Sequence, residues 1–291
     1  MMTNILLLGG TGFIGQYLVR RIEQENSLKL MIHDSNFQTD AEKFKGNILK
    51  KDSFFDEIRE NEIIINLLGQ MTTNESDFID LNIIGGINLL QSCLEKKIKK
   101  IILISSINVY GENLKQSSKE NDPLKPKTFY GLVKMITEQM YEYFSKTYGI
   151  NITILRLSGI YGPNKNNGFL TKIIKSIKDK NLIPICYNQG QQQRDMLYID
   201  DAVDCILNTI NHQENGFNVF NVSSGKRYST KELISIIEKI SNTKITVKYN
   251  SEIPDETCIW ADNLKAKKLL KFNPKINIES GLKYMIEKLI N

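Results

Sequence analysis

The fold is decided near the N-terminus by Asn4-Ile5-Leu6-Leu7-Leu8 and by the segment Gly9-Gly10-Thr11-Gly12-Phe13-Ile14-Gly15, which follows it directly. The apolar run predicts a buried parallel strand. The next apolar residues recur at helical spacing and predict a helix: Phe13, Ile14, Tyr17, Leu18 and Ile22. The glycines therefore lie where a strand turns into a helix, with backbone N–H groups directed at an anion. Gly9 permits the tight turn, Gly12 lets a phosphate approach, and Gly15 lets the helix pack on the strand.

Strand and helix patterns alternate after this stretch. Apolar runs predict strands at 28–33, 63–68, 101–104 and 152–155, and helical patterns lie at 77–96 and 130–147. This alternation predicts an α/β fold with a doubly wound, Rossmann-like parallel sheet. Beyond Gly162-Pro163 strands and helices no longer alternate regularly, which predicts a smaller C-terminal α/β cap domain. Helical patterns lie there at 169–178, 200–211 and 230–241, and strand patterns at 217–222 and 245–249. We expect a dinucleotide-binding domain at 1–160, with a return segment near 196–225, and a cap at 161–195 and 226–291.

Asp34 closes the second predicted strand about twenty residues after the glycines, where a carboxylate would bond to the ribose hydroxyls of an adenine dinucleotide. This placement favours NAD over NADP, because a 2′-phosphate would face a negative charge. No arginine follows at 35–39 that could pair with such a 2′-phosphate. The alternative is that Asp34 is a solvated loop residue that contacts no ligand.

Tyr130-Gly131-Leu132-Val133-Lys134 places a phenol and an ammonium one helical turn apart. A cation beside a tyrosine favours the phenolate, so we expect Lys134 to bring the pKa of Tyr130 closer to neutral pH. Ser106 follows the predicted strand at 101–104, at the edge where a doubly wound sheet binds its ligand. Together Ser106, Tyr130 and Lys134 supply a hydrogen bond, a proton carrier and a cation for hydride chemistry at a carbinol.

Composition excludes several other classes of protein. The chain has 291 residues and a net charge of +5, and its lysine cluster at 96–100 is typical of a solvated helix end, so we expect no nucleic-acid partner. Four cysteines without a C-x-x-C pair and the absence of a basic, apolar leader predict a reduced, cytoplasmic protein. No apolar run approaches the roughly twenty residues of a membrane span. His33 and His212 lack partners at metal-ligand spacing, so we expect no metal site.

These motifs resemble the extended short-chain dehydrogenase/reductases, specifically the NAD-dependent epimerase/dehydratase family that acts on nucleotide-activated sugars. The resemblance covers nearly the whole chain. Beyond the motifs above, it is carried by Asn66-Leu67-Leu68-Gly69 with Asn82, Ser105 to Gly111, Leu155 to Pro163, Gln193 to Asp201 and the tail from Trp260 to Pro274.

The resemblance implies NAD and a nucleotide-activated sugar, with Ser106, Tyr130 and Lys134 as catalytic residues. The cofactor would be bound by Gly9, Gly12, Phe13, Ile14, Gly15, Asp34, Leu68, Asn82 and Lys134. Ser106, Asn108 and Arg194 would bind the substrate, and Arg194 would contact the phosphates of the substrate. The alternative role of Arg194 is a salt bridge with a neighbouring aspartate. A homodimer built on the helices at 77–96 and 130–147 is a further expectation from the family.

Departures from the family pattern keep three hypotheses open. Ile107 and Asn108 replace the acidic pair of dehydratases, which disfavours dehydration, and Ile253-Pro254-Asp255-Glu256 lacks the second phosphate-binding arginine of many epimerases. The first hypothesis is a C4 epimerase that works through a 4-keto intermediate. The second is a 4-ketosugar reductase or 4-dehydrogenase, and the third is a protein that only binds a dinucleotide. The complete Ser106, Tyr130 and Lys134 set argues against the third.

Overall fold

A computed structural model of the chain describes residues 3–24, 27–33, 37–60, 62–69, 74–212, 215–251 and 258–290. Within these residues the strands are β1 (Asn4–Leu8), β2 (Ser27–Ile32), β3 (Glu42–Lys45), β4 (Ile63–Asn66), β5 (Lys100–Ser106), β6 (Asn151–Leu157), β7 (Gly159–Tyr161), β8 (Ile185–Cys186), β9 (Gln193–Tyr198), β10 (Phe217–Val222), β11 (Arg227–Ser229), β12 (Lys248–Tyr249) and β13 (Cys258–Ile259). The α-helices are α1 (Phe13–Ile22), α2 (Glu75–Ile79), α3 (Gly85–Glu95), α4 (Phe129–Tyr148), α5 (Phe169–Lys178), α6 (Ile199–Asn211), α7 (Thr230–Ser241), α8 (Leu264–Leu269) and α9 (Ile278–Ile290).

The central layer is a parallel sheet of seven strands in the order β10-β6-β5-β4-β1-β2-β3. The chain runs outward from β1 through β2 to β3, and then returns to β4 on the other side of β1. Leu8 of β1 and Asn66 of β4 are neighbours in the ladder, so the strand order reverses between their carboxyl ends. This topology confirms the expected Rossmann-like α/β fold, in which a ligand binds at the reversal.

The first strand is apolar throughout because both of its faces are buried. Ile5 and Leu7 pack in the core cluster that includes residues of α1 and α6, whereas Leu6 and Leu8 pack with residues of α3 and α4 on the other face. Alternate side chains of a strand point to opposite faces, so a sheet covered by helices on both sides needs this uninterrupted run. The run therefore places β1 in the interior of the sheet, between β4 and β2.

The strands outside the large sheet form a smaller region together with several helices. Strands β7, β9, β11 and β13 form a mixed four-stranded sheet, and β8 pairs with β12. Helix α9 packs against α5, α7 and β9, and its buried residues Leu282 and Met285 join the same core cluster as β1. Strand β10, by contrast, returns to the edge of the seven-stranded sheet beside β6.

Some elements differ from the sequence expectations. The long helix expected at 77–96 is divided into α2, a π-helical turn at Asp80–Ile84 and α3. The strand expected at 245–249 is reduced to the two residues of β12. Strand β3 was not expected, because its sequence Glu-Lys-Phe-Lys is charged and largely exposed, as suits an edge strand.

Candidate active site

A cavity of about 470 Å³ opens at the carboxyl ends of β1, β4 and β5. One wall is formed by the glycine-rich segment and the first turn of α1, and the opposite wall by the end of β5 and the start of α4. The third part of the wall is the segment 164–167, which follows β7. The cavity thus lies where the strand order reverses, which is the place that the topology predicts for a ligand.

The glycine-rich segment forms a tight turn between β1 and α1. Gly9 has a φ of 84°, and its carbonyl accepts a hydrogen bond from the Gly12 N–H at 3.1 Å. A Cβ atom at Gly15 would overlap the Gly9 carbonyl, so only glycine lets the helix approach the turn this closely. No side chain caps α1 at Gly12, and its first turn holds no acidic residue, which leaves backbone N–H groups free to bind an anion. Phe13 and Ile14 line the cavity beside these glycines.

Ser106 and Tyr130 meet on the opposite wall. The Thr128 side chain caps the N-terminus of α4, which places Tyr130 in the first turn of that helix. There the phenol is hydrogen-bonded to Ser106, the last residue of β5, and its ring stacks on Phe78 with centroids 5.5 Å apart. The Ser106 hydroxyl donates to Asn108 Oδ1 at 3.0 Å. Asn108 therefore contacts Ser106, and it is not among the described residues that line the cavity.

Lys134 follows one turn later on α4 and is buried. Its ammonium lies 3.4 Å from the carbonyl oxygens of both Leu68 and Ile104. A Cβ atom at Gly69 would overlap both Lys134 Nζ and Asn82 Oδ1, so these two side chains reach the same point from α4 and from the π-helical turn. Removal from water lowers the pKa of Lys134 to about 8, and the negative charge of a nearby glutamate opposes that shift.

The structure differs from the sequence expectation for the pKa of Tyr130. Burial raises the pKa of this phenol, and the hydrogen bond with Ser106 only partly opposes the shift. The spacing places Lys134 beneath Tyr130, but the ammonium is directed at two backbone carbonyls. In this state Tyr130 is therefore a proton donor at neutral pH.

A buried ion pair holds α4 against the sheet. Arg156 of β6 binds Glu138 of α4, with Nη2 at 2.6 Å from Oε2 and both side chains almost fully buried. The Ser105 hydroxyl of β5 donates to the same carboxylate. Arg156 Nη1 also donates to the Tyr110 hydroxyl at 2.7 Å, which in turn donates to Asn221 Oδ1 of β10 at 2.7 Å. Helix α4 is thus connected through one polar network to β5, β6 and β10.

The segment 164–167 was not recognised from the sequence as part of the site. The Tyr17 hydroxyl of α1 donates to the Pro163 carbonyl at 2.8 Å and holds this segment over the first helix. Asn164, Lys165, Asn166 and Asn167 then line the cavity. In the sequence this segment is a lysine among asparagines directly after Gly162-Pro163, a composition that is also typical of a solvated loop. Only the tertiary contact with Tyr17 distinguishes the two.

Four of the expected site residues, Leu68, Asn82, Asn108 and Arg194, are not among the described residues that line the cavity. Arg194 is on β9, where it is exposed and next to Tyr228 and Ile259 of the neighbouring strands, outside the described lining of the cavity. Asp34, the expected ribose contact, lies outside the described residues. Their roles remain predictions.

The described ranges lack a membrane-spanning helix and a cluster of metal ligands. No helix there is both long enough and apolar enough to cross a bilayer. Within the same ranges, no three histidine, cysteine, aspartate or glutamate side chains come together as metal ligands would. All four cysteines are buried free thiols.

Comparisons with known proteins give a consistent result. A model of the NAD dependent epimerase/dehydratase family matches residues 5–223. A putative UDP-glucose 4-epimerase of Methanocaldococcus jannaschii is 29% identical, over 99% of this chain and 98% of its own length. A UDP-glucuronate 4-epimerase of Thermodesulfobacterium geofontis is 32% identical, over 71% of this chain and 64% of its own length. Among solved structures, the UDP-glucose 4-epimerase of Thermotoga maritima with UDP-glucose has a TM-score of 0.90 at 26% identity and 99% coverage of both chains.

The buried ion pair generates a prediction about stability. Glu138→Ala leaves the Arg156 guanidinium buried without its carboxylate, so we expect the free energy of unfolding to fall by about 3–5 kcal/mol. The control is Glu142→Ala, one turn further on the same helix, where an exposed pair with Lys146 is lost and the change should stay below about 1 kcal/mol. Urea unfolding of the two variants measures the difference. Equal losses would show that the pair does not hold α4.

Proposed function

This chain belongs to the NAD-dependent epimerase/dehydratase family, and from that premise we propose that it is a nucleotide-sugar epimerase that acts at sugar C4 through a 4-keto intermediate. The family match agrees with the resemblance read from the sequence motifs and makes the chain an enzyme. The observation that carries the proposal is the hydrogen bond between Ser106 and Tyr130, with buried Lys134 beside it, in a cavity whose other wall is the glycine-rich turn. The relatives named above act on UDP-sugars, which supports a nucleotide-activated sugar as the substrate.

The charge of the cavity suits an adenine dinucleotide. Its described lining contains the ammonium groups of Lys134 and Lys165 and no carboxylate, and the N-terminus of α1 is free of acidic residues. We propose that Gly9, Gly12, Phe13, Ile14 and Gly15 hold the pyrophosphate, and that Leu68, Asn82 and Lys134 hold the nicotinamide half. Asp34 is the proposed ribose contact that selects NAD over NADP. Bound NAD supplies the acceptor for a hydride and returns it in the same turnover.

The side chains of this site can move the proton that accompanies the hydride. With a raised pKa, Tyr130 is protonated at rest and can donate to an oxyanion as the C4 ketone is reduced. Oxidation of the C4 hydroxyl needs Tyr130 as the phenolate, so the phenol would first release its proton to solvent; the positive charges of Lys134 and of the nicotinamide ring of bound NAD would favour that form. Ser106 is positioned to hydrogen-bond to the same oxygen. Lys134, with a pKa of about 8, keeps its positive charge at neutral pH and stabilises negative charge that develops beside it.

The sugar nucleotide requires a second binding surface. We propose that residues 161–195 and 226–291 form the cap that holds it, with residues 1–160 and the return segment near 196–225 as the dinucleotide-binding domain. In this proposal Ser106, Asn108 and Arg194 bind the substrate, and Arg194 contacts the phosphates of the sugar nucleotide. Because the Ser106 hydroxyl donates its single proton to Asn108 in this structure, it would turn away from Asn108 to donate to the sugar oxygen.

One sequence feature favours a second candidate, a nucleotide-4-keto-sugar reductase or 4-dehydrogenase. The segment Ile253-Pro254-Asp255-Glu256 lacks the arginine with which similar epimerases clamp the substrate diphosphate. A reductase consumes added NADH with a ketosugar, whereas an epimerase interconverts two alcohols without net change in the cofactor. A panel of UDP-sugars and their 4-keto derivatives, followed by chromatography and by NADH absorbance, separates the two activities.

Tyr130→Phe tests the proton carrier. The ring and its stacking on Phe78 are kept while the hydroxyl is lost, so we expect turnover of the active nucleotide sugar to fall at least about 100-fold. Affinity for NADH, measured by fluorescence titration, should stay within about twofold of that of the unmodified chain. The matched control is Tyr148→Phe, an exposed tyrosine at the end of the same helix, which should leave turnover unchanged. Retained turnover in Tyr130→Phe would contradict the proposed role.

A second copy of this chain is the proposed partner of an exposed apolar face on α4 and the neighbouring π-helical turn. Leu132, Ile136 and Tyr143 share one face of α4 and are 40%, 41% and 59% exposed, and Ile84 of the π-helical turn is 46% exposed. Large apolar side chains at helical spacing on a surface are typical of an interface. We propose that α3 and α4 pair with the same helices of a second copy to form a homodimer.

Ile136→Glu tests this surface. A carboxylate in the centre of an apolar interface loses its hydration without gaining a partner, so we expect the dimer to dissociate. Leu264→Glu is the control, because Leu264 is 65% exposed on α8, away from the proposed interface. Sedimentation velocity should show a monomer for Ile136→Glu and a dimer for the control. A monomeric unmodified chain, or an unchanged Ile136→Glu variant, would exclude the interface.

A further inference from the structure

Lys165 is a charged residue of the cavity wall that the proposed catalytic set does not use. It lies between β7 and α5, and its ammonium is 5.5 Å from the centroid of the Phe13 ring, in the first turn of α1. One of its protons is donated to the Ile160 carbonyl. The hydrogen bond from Tyr17 to the Pro163 carbonyl, at 2.8 Å, ties the preceding residues to the same helix. The ammonium is thereby held over the start of α1.

The charge of Lys165 is not balanced within the described part of the protein. None of the ion pairs there involves it, and no described residue of the cavity lining is acidic. Burial lowers the pKa of Lys165, because a cation withdrawn from water without a counter-ion is costly. An anion in the cavity would offset that cost.

The other cation of the cavity is already engaged. Lys134 contacts the carbonyl groups of Leu68 and Ile104 at the far side, next to Tyr130. Lys165 lies instead beside the glycine-rich turn, where the uncapped N–H groups of α1 are directed at an anion. The N-terminus of α1 and the Lys165 ammonium therefore face the same part of the cavity from adjacent parts of its wall.

We infer that Lys165 is a phosphate contact from the cap side, which pairs with the pyrophosphate of the dinucleotide while the glycine-rich turn binds it from below. The inference rests on the proposed function only in taking the ligand to be a dinucleotide. An ion pair from the segment that covers the cofactor slows cofactor release. A slowly released cofactor suits an epimerase, which must return the hydride to the sugar that supplied it.

The test compares Lys165→Met, which keeps the aliphatic stem, with Lys165→Arg, which keeps the charge. The probes are NADH and ADP-ribose, both of which contain the pyrophosphate, titrated against the full chain by fluorescence and by calorimetry. We expect Lys165→Met to weaken both ligands about tenfold and to reduce the salt dependence of binding, whereas Lys165→Arg should stay within about threefold. The matched control, Lys172→Met on the exposed face of α5, should not change either affinity. Thermal unfolding verifies that the variants are folded.

Two results would overturn the inference. Unchanged affinity of Lys165→Met for both NADH and ADP-ribose would show that the ammonium does not reach the pyrophosphate. Unchanged dinucleotide affinity with a raised KM for the nucleotide sugar would assign Lys165 to the substrate instead. Failure of the proposed function is distinguishable, because an inactive chain that still loses ADP-ribose affinity in Lys165→Met supports the contact without any sugar chemistry.

Discussion

The ion pair between Glu138 and Arg156 is the interaction on which the geometry of the site depends. It helps to hold α4, which carries Tyr130 and Lys134, in register with the sheet, and the carboxylate of Glu138 lies one turn beyond Lys134 on that helix. Ser105 donates to this carboxylate, whereas its neighbour Ser106 meets the Tyr130 phenol. One strand end is therefore bonded to α4 at two successive residues, which fixes both the depth and the rotation of the helix. The continuation through Tyr110 to Asn221 brings β10 into the same arrangement.

Electrostatics in the cavity follow from this framework. Burial shifts the pKa values of Tyr130 and Lys134 in opposite directions, up for the phenol and down for the ammonium, because the charged form of each is withdrawn from water. At neutral pH, Tyr130 is therefore a protonated phenol and Lys134 keeps its positive charge. With Lys165 on the other wall and no described carboxylate in the lining, the cavity is suited to anionic ligands before any ligand enters.

Much of the fold follows from local patterns in the sequence. The glycine spacing from Gly9 to Gly15 and the apolar strands predict the doubly wound sheet, because each pattern acts through backbone sterics or burial that is local to the strand. The i, i+4 spacing likewise predicts that Lys134 lies beneath Tyr130. It cannot predict where the ammonium points, because that depends on carbonyl groups of Leu68 and Ile104, which are remote in sequence. Lys165 was missed for the same reason, since its place depends on the contact between Tyr17 and Pro163. The π-helical turn that brings Asn82 to Gly69 also leaves no mark in the apolar periodicity.

In the proposed reaction, the hydride leaves C4 of a sugar and returns to C4 of the same molecule. Incubating the unmodified chain with a panel of UDP-sugars that carry deuterium at C4, and following both epimers by mass spectrometry and NMR, tests this claim most directly. If the hydride returns to the same sugar, each epimer of the active pair keeps its deuterium, with no label in the water or in added NAD and no net formation of NADH. Transfer of the label to the added cofactor, or its loss to the solvent, would contradict the account.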